Sequence, residues 1–153
     1  MHLVIRTSVS QPRDRVWAGF DKKLFLALNP PFPPVKLLRF DGCRAGDEVH
    51  LELNFLLFRQ VWESVITEQQ TTPEEIWFVD EGRKLPFFLR YWRHRHRLLR
   101  RGNHTDIVDD ITFRSPFFLF DYLLYPVLYL QFLYRKPIYR RTFRTADYAD
   151  LDD

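Results

Sequence analysis

The sequence predicts an α+β domain in which a curved antiparallel sheet wraps around one long C-terminal α-helix, with two short helices after the first strand. Three observations carry this reading. Strand-like segments divided by brief turn signals follow one another from Val35 to Phe113, and connections that short join antiparallel neighbours. Two short helical patterns precede them. One long apolar and aromatic stretch follows, and it is the only segment long enough to cover the apolar face of such a sheet.

The elements read as follows. His2 to Ser8 alternates weakly, and its Val-Ile pair suits a strand. Ser10 fits an N-cap with Pro12 in the first turn. Val16, Trp17 and Phe20, then Leu24, Phe25 and Leu28, fall at helical spacing with a break near Asp21 to Lys23. Asn29-Pro30-Pro31-Phe32-Pro33-Pro34 ends any helix, because proline lacks the N–H and its ring clashes. Strands are predicted at Val35–Phe40, Glu48–Phe55, Arg59–Gln69, Glu75–Asp80, Phe88–Leu99 and Thr105–Phe113. Glu48 to Phe55 alternates cleanly, with Val49, Leu51, Leu53 and Phe55 on one side. The rest is helical in pattern, from Phe118 through Tyr122, Tyr125, Tyr129 and Phe132 to Phe143. Pro126 and Pro137 are expected to kink or break it.

The last hairpin is the most informative segment. A loop at Gly102-Asn103 pairs residues whose numbers sum to 205, so His96 faces Asp109 and Arg95 faces Asp110. One face then carries Arg93, Arg95 and Arg97 with Asp106 and Asp110, and the arginines are expected to pair outward with those two acids. The other collects Trp92, His94 and His96 with Thr105, Ile107, Asp109, Ile111 and Phe113. Opposite charges across strands contribute roughly 0.2–1 kcal/mol per pair. A slip of one residue puts arginines inside.

Composition bounds the function classes. The chain has 153 residues, of which 46% are hydrophobic and 17% aromatic. That is enough for one core lined with rings. One domain is expected over 1–146, followed by an acidic tail over 147–153 with Asp147, Asp150, Asp152 and Asp153. The net charge is only +3, although eight basic and no acidic residues lie from Arg83 to Arg101, and five basic residues lie from Arg135 to Arg144. Nucleic-acid binding is not assigned, because Asp106 and Asp110 neutralise part of the basic hairpin and no recognition motif is present. The single cysteine, Cys43, has no evident base beside it, and no reactive role is assigned. One cysteine and no secretory signal point to a cytoplasmic protein. Pro116 to Tyr134 approaches the length of a membrane span, but Asp121, Pro126 and Gln131 interrupt it. A charge near the centre of a lone span costs about 2.5–3.5 kcal/mol. No glycine-rich phosphate loop and no nucleophile elbow is present, and no cofactor is expected.

Several local motifs resemble one superfamily. They are Gln11-Pro12 to Trp17, Leu28-Asn29-Pro30-Pro31, Phe40-Asp41-Gly42, Leu85-Pro86-Phe87-Phe88, Trp92-x-His94-x-His96 and Thr105-x-Ile107-x-Asp109. With the order of elements, they resemble the START-like, or Bet v 1-like, group, also called SRPBCC or polyketide-cyclase-like proteins. The Trp-His-His hairpin resembles bacterial members, including a small domain fused to nucleotide-sugar-epimerase-like proteins. That context does not carry over, as no epimerase-like part is present. The resemblance implies a helix-grip fold with a hydrophobic cavity for lipids, sterols or polyketides.

The expected function is therefore binding of a small hydrophobic or amphipathic ligand between sheet and C-terminal helix. Trp62, Trp77, Trp92, Tyr122, Tyr125 and Tyr129 are candidate wall residues. His94, His96 and Asp109 are the polar candidates, and Pro30 to Pro34 is expected to border the entrance with the helix. A buried carboxylate needs a partner, and a His–Asp pair supplies one. The same trio is the acid–base candidate of a cyclase- or dehydratase-type enzyme. Its donor types also suit zinc, but no further His or Cys cluster joins it and no metal is assigned. A third reading is a peripheral membrane or interaction protein that sets Arg135, Lys136, Arg140 and Arg141 against anionic lipid. Ligand identity and oligomeric state are not legible.

Overall fold

The computed structural model describes residues 1–144, so the expected boundary at 146 and the acidic tail lie outside the described residues. Strand β1 (His2–Val9) alternates strictly between exposed and buried side chains. Helix α1 (Arg13–Ala18) is capped by Pro12 rather than Ser10, and the Pro12 carbonyl accepts from the Arg15 and Val16 N–H groups, both at 3.1 Å. The expected break before the second helix is itself a cap. Asp21 accepts from the Leu24 N–H at 2.9 Å and starts α2 (Lys22–Ala27).

Six strands follow, as the spacing of turns predicts: β2 (Val35–Phe40), β3 (Glu48–Asn54), β4 (Arg59–Thr71), β5 (Glu75–Lys84), β6 (Tyr91–Arg101) and β7 (His104–Arg114). They join β1 in one antiparallel sheet of order β1-β7-β6-β5-β4-β3-β2. Sequential hairpins build most of it, and β1 returns to pair with β7. Register shifts interrupt β2/β3 once and β4/β5 twice. Each such bulge bends its strand and increases the local twist, which curves the sheet into an open grip.

The C-terminal segment is two helices, α3 (Phe118–Leu133) and α4 (Arg135–Thr142), rather than one. Pro126 lies within α3 without ending it. The break falls at Tyr134, and Pro137 explains its place. With no N–H, Pro137 leaves the Leu133 carbonyl without its helical donor, and its ring crowds that carbonyl. Pro137 itself sits in the first turn of α4, where an N–H would lack a helical partner anyway.

Two apolar clusters form the core. One, at the α1/α2/α4 end, includes Val9, Val16, Ile76, Leu98, Ile107 and Tyr139. The other, under α3, includes Leu3, Ile5, Trp92, Ile111, Phe113, Leu128 and Phe132. Along β6 and β7 the residues between the two are polar: His94 and His96 on one strand, Asp109 on the other.

Candidate functional site

The β6/β7 hairpin has the expected register. Every Cα pair from Tyr91↔Arg114 to Arg101↔His104 sums to 205, and His96 faces Asp109. The hydrogen bond, however, is diagonal. His94 Nε2 and Asp109 Oδ1 are 2.9 Å apart, whereas His96 Nδ1 stands 3.7 Å from the same oxygen. Asp109 is 0% exposed. The two imidazoles lie against each other, with ring centroids 3.5 Å apart. His96 stacks on Phe78 at 4.2 Å, and Phe132 meets His94 edge-on at 5.2 Å.

These surroundings set the protonation states. Burial pushes both imidazoles well below their ordinary range, and the Arg135 charge adds to the effect; His94 also disfavours a proton on His96. Burial raises Asp109, against the opposing pull of Arg135 and His96. The trio is thus a set of neutral rings around a desolvated carboxyl, with one oxygen, Oδ2, lacking a hydrogen-bond partner among the described residues.

A cavity of about 400 Å³ opens between the sheet and the helices. On the sheet side it is lined by β3 (Val49, Leu51, Leu53), β4 (Trp62, Ser64, Ile66), β5 (Phe78, Asp80) and β6 (Trp92, His94, His96). From α3 and α4 come Leu124, Val127, Leu128, Phe132 and Arg135, and Pro30, Phe32 and Pro33 close one side. Of the candidates named from the sequence, Trp62, Trp92, His94 and His96 line the cavity. Asp109 sits behind the imidazoles and does not line it.

Four other expectations fail. Trp77 points to the opposite face of β5, with the Arg95 guanidinium 4.3 Å from its ring. Tyr122 and Tyr129 are exposed, and Tyr125 packs on the α3-side core and stacks on Tyr129 at 6.4 Å; none borders the cavity. The outward arginines also choose other partners. Arg97 bonds Glu75 at 2.8 Å, Arg93 bonds Glu81 at 3.3 Å, and Arg95 approaches Glu75 at 3.7 Å. Asp106 accepts from Ser8, Arg6 and Arg101, and Asp110 pairs with His2. Both hairpin strands are interior, so each has a second neighbour, and β5 and β1 take the charges.

The sequence reading missed Asp80, Ser64 and Arg135. Asp80 lies opposite His94 on β5. The Trp62 indole N–H donates to Ser64 Oγ at 3.0 Å. Burial pushes the Asp80 carboxyl up to about 6, while a hydrogen bond with Ser64 and the Arg135 charge oppose the rise. Its Oδ1 is buried without a hydrogen-bond partner among the described residues. The Arg135 guanidinium lies 4.1 Å over the Phe132 ring, and among the described residues no carboxylate is close enough to form an ion pair with it. Cys43 also lines the cavity; burial pushes its thiol up to about 12, so it stays protonated at neutral pH.

His94, His96 and Asp109 place three ligand-type atoms within 4.8 Å of one another. That donor set suits zinc, but the nearby Arg135 charge opposes a second cation. Glu63 and Glu68 of β4 stand outside the cavity, toward Lys84 and Arg93.

An open antiparallel sheet gripping C-terminal helices, with two short helices after the first strand, is a helix-grip fold. Solved structures share it. Protein Ms6760 of Mycobacterium smegmatis is 18% identical with a TM-score of 0.67, covering 96% of this chain and 92% of that one. Norcoclaurine synthase of Thalictrum flavum, in complex with dopamine and hydroxybenzaldehyde, is 12% identical with a TM-score of 0.60, covering 90% and 86%. The nucleoside-diphosphate sugar epimerase of Corynebacterium glutamicum is 22% identical with a TM-score of 0.58, covering 74% of this chain but 25% of that one. At the level of sequence no family model and no curated protein matches the chain.

The raised carboxyl of Asp80 has a measurable signature. The folded protein takes up its proton at about 6, and an unperturbed carboxyl does so at 3.8. Between those values the folded state holds more protons than the unfolded one, so this group's contribution to stability falls as pH rises and levels off above the upper value. Urea denaturation across that range is expected to show the fall in the native chain, and a flatter profile in Asp80→Asn.

Proposed function

We propose that the domain binds a small amphipathic molecule, with its apolar body against the aliphatic and aromatic walls and its polar end between Asp80 and Arg135. One observation carries this reading. A guanidinium and a carboxyl, neither paired with an opposite charge among the described residues, stand on the wall of a cavity that is otherwise mostly apolar. Pockets of roughly 300–1,000 Å³ with apolar walls and a few convergent polar groups are the usual form of small-molecule sites. A cavity of about 400 Å³ falls within that range. A protein of the same fold, the norcoclaurine synthase, holds two small aromatic molecules. Lipid-, sterol- or polyketide-like molecules with one oxygen-bearing end fit this description. Arg135 favours an anionic or carbonyl oxygen there, and Asp80 a group that donates a hydrogen bond.

A second reading, acid–base chemistry of the cyclase or dehydratase type, draws on the Asp80 carboxyl at about 6. A group that titrates near neutrality in a dry wall can give and take a proton. In that case Asp80→Asn abolishes turnover of a carbonyl-bearing ligand and spares its binding. Under the binding reading no turnover of any such ligand is seen in the native chain.

Leu51→Trp tests the cavity itself. Leu51 lines the cavity from β3, and an indole there fills part of it. The native chain is expected to take up an apolar fluorescent probe that fatty acids displace. Leu51→Trp is expected to keep its circular dichroism and lose probe affinity by about tenfold or more. Equal probe binding by both chains places the probe elsewhere and removes the support for this site.

A further inference from the structure

Helix α3 is apolar on nearly every side, yet it covers the sheet mainly through Leu128 and Phe132. Among the described residues, ten of the nineteen large hydrophobic side chains that stand exposed lie from Phe117 to Tyr134. A helix that is apolar all round is normally enclosed by protein or lipid. Contiguous exposed patches of this extent mark interaction sites. The only ionisable group in that stretch other than tyrosine is Asp121, and its carboxylate is engaged by the Ser115 N–H at 2.6 Å.

A second apolar surface stands across the cavity from α3. The β3–β4 turn carries Leu56, Leu57 and Phe58, and Leu57 is 96% exposed. Leu56 adopts φ 72°, a left-handed conformation that favours Gly or Asn. An apolar side chain is thus kept at a tip where the backbone disfavours it. The neighbouring loop presses Phe87 on Phe58 at 5.6 Å. Phe55 of this aromatic group and Leu124 and Val127 of α3 line the same cavity.

We infer that this face docks on an anionic lipid bilayer, with α3 lying in the interface and the β3–β4 tip inserted beside it. Charge selects this occupant. From Tyr122 to Arg144 there is no acidic residue, while Lys136, Arg140, Arg141 and Arg144 follow the apolar helix directly. Basic clusters beside an apolar surface are drawn to anionic headgroups. Arg135, expected from the sequence to share that role, is turned to the cavity instead. Tyr122 and Tyr129 of α3 and Tyr134 just after it are exposed, and tyrosine rings settle at headgroup level. The helix lies on the bilayer and does not span it. Its 16 residues extend about 24 Å, short of a hydrocarbon core of ~30 Å, and no helix among the described residues is long and apolar enough to cross a membrane. The docking does not depend on what the cavity holds.

Co-sedimentation of the full chain with extruded vesicles tests this. Vesicles of equal parts phosphatidylcholine and phosphatidylserine are expected to carry the protein down, and phosphatidylcholine alone to carry much less. The double variant Leu57→Glu with Leu123→Glu is expected to lower the bound fraction by about tenfold. Both side chains are exposed, so its thermal melting should match the native chain; the neutral pair Leu57→Gln with Leu123→Gln gives a smaller loss and guards against a folding defect. Arg140→Glu with Arg141→Glu is expected to abolish the preference for phosphatidylserine. Light scattering should find a monomer in every case. The inference is overturned if no vesicle binds the native chain, or if the Leu57 and Leu123 variants bind as well as it does. It is also overturned if the native chain is a dimer that these variants dissolve, because the face then belongs to a second copy.

Discussion

The hydrogen bond between His94 and Asp109 is the constraint on which the rest of the structure depends. Asp109 lies on β7, an interior strand, between Ile5 of β1 and His96 of β6, and is fully buried. A carboxyl in that position must find a partner, because a buried polar group left unpaired costs about 1–3 kcal/mol. Among the described residues, only the diagonal His94 supplies a bond at hydrogen-bonding distance. The pair fixes the register of β6 on β7. A shift of one residue would replace the imidazoles by Arg93, Arg95 and Arg97, whose partners, Glu75 and Glu81, are on the outer face. The same trio separates the two apolar clusters. The core is therefore not continuous along the sheet, and above the polar belt it gives way to a cavity.

The remaining features follow from that division. Bulges in β4/β5 and β2/β3 bend the sheet into its open grip. The break at Tyr134 matters as much. Pro137 ends α3 one turn early, and Arg135, the first residue of α4, enters the cavity over Phe132. The guanidinium there acts on Asp80, Asp109 and both histidines at once, lowering the carboxyls and disfavouring protonated rings. A single proline thus places the cation that acts on Asp80, Asp109 and both imidazoles. The site is a small polar cluster set in a mostly apolar wall, which is the setting in which individual polar contacts carry most weight.

The fold was legible because independent patterns agreed. Turn spacing predicted six strands after the first helices. Alternation along the β6/β7 hairpin and the placement of its acids and bases required the same register. The site was legible only in part, for reasons that can be named. Ile76-Trp77-Phe78-Val79 is apolar on both faces, so alternation could not say which residues point inward. Trp77 was assigned to the wall, while Phe78 and Asp80 occupy it. On α3 there is no polar face to orient the helix, and three tyrosines were placed inside that stand outside or on its flank. Arg135 read as part of a basic run, and only the break at Tyr134 separates it from the others. Outer-face pairing failed for a different reason: a hairpin considered alone omits its neighbours, and Glu75 and His2 lie on those neighbours.

The central claim is that the space above His94 and His96 is a receptor for an amphipathic molecule. Native mass spectrometry of the purified chain, before and after organic extraction and after incubation with a mixture of fatty acids and aromatic acids, tests it most directly. The account predicts one additional mass per chain that extraction removes, or uptake of a single acid molecule by the emptied protein. A bare chain mass throughout, with no uptake from the mixture, would contradict it.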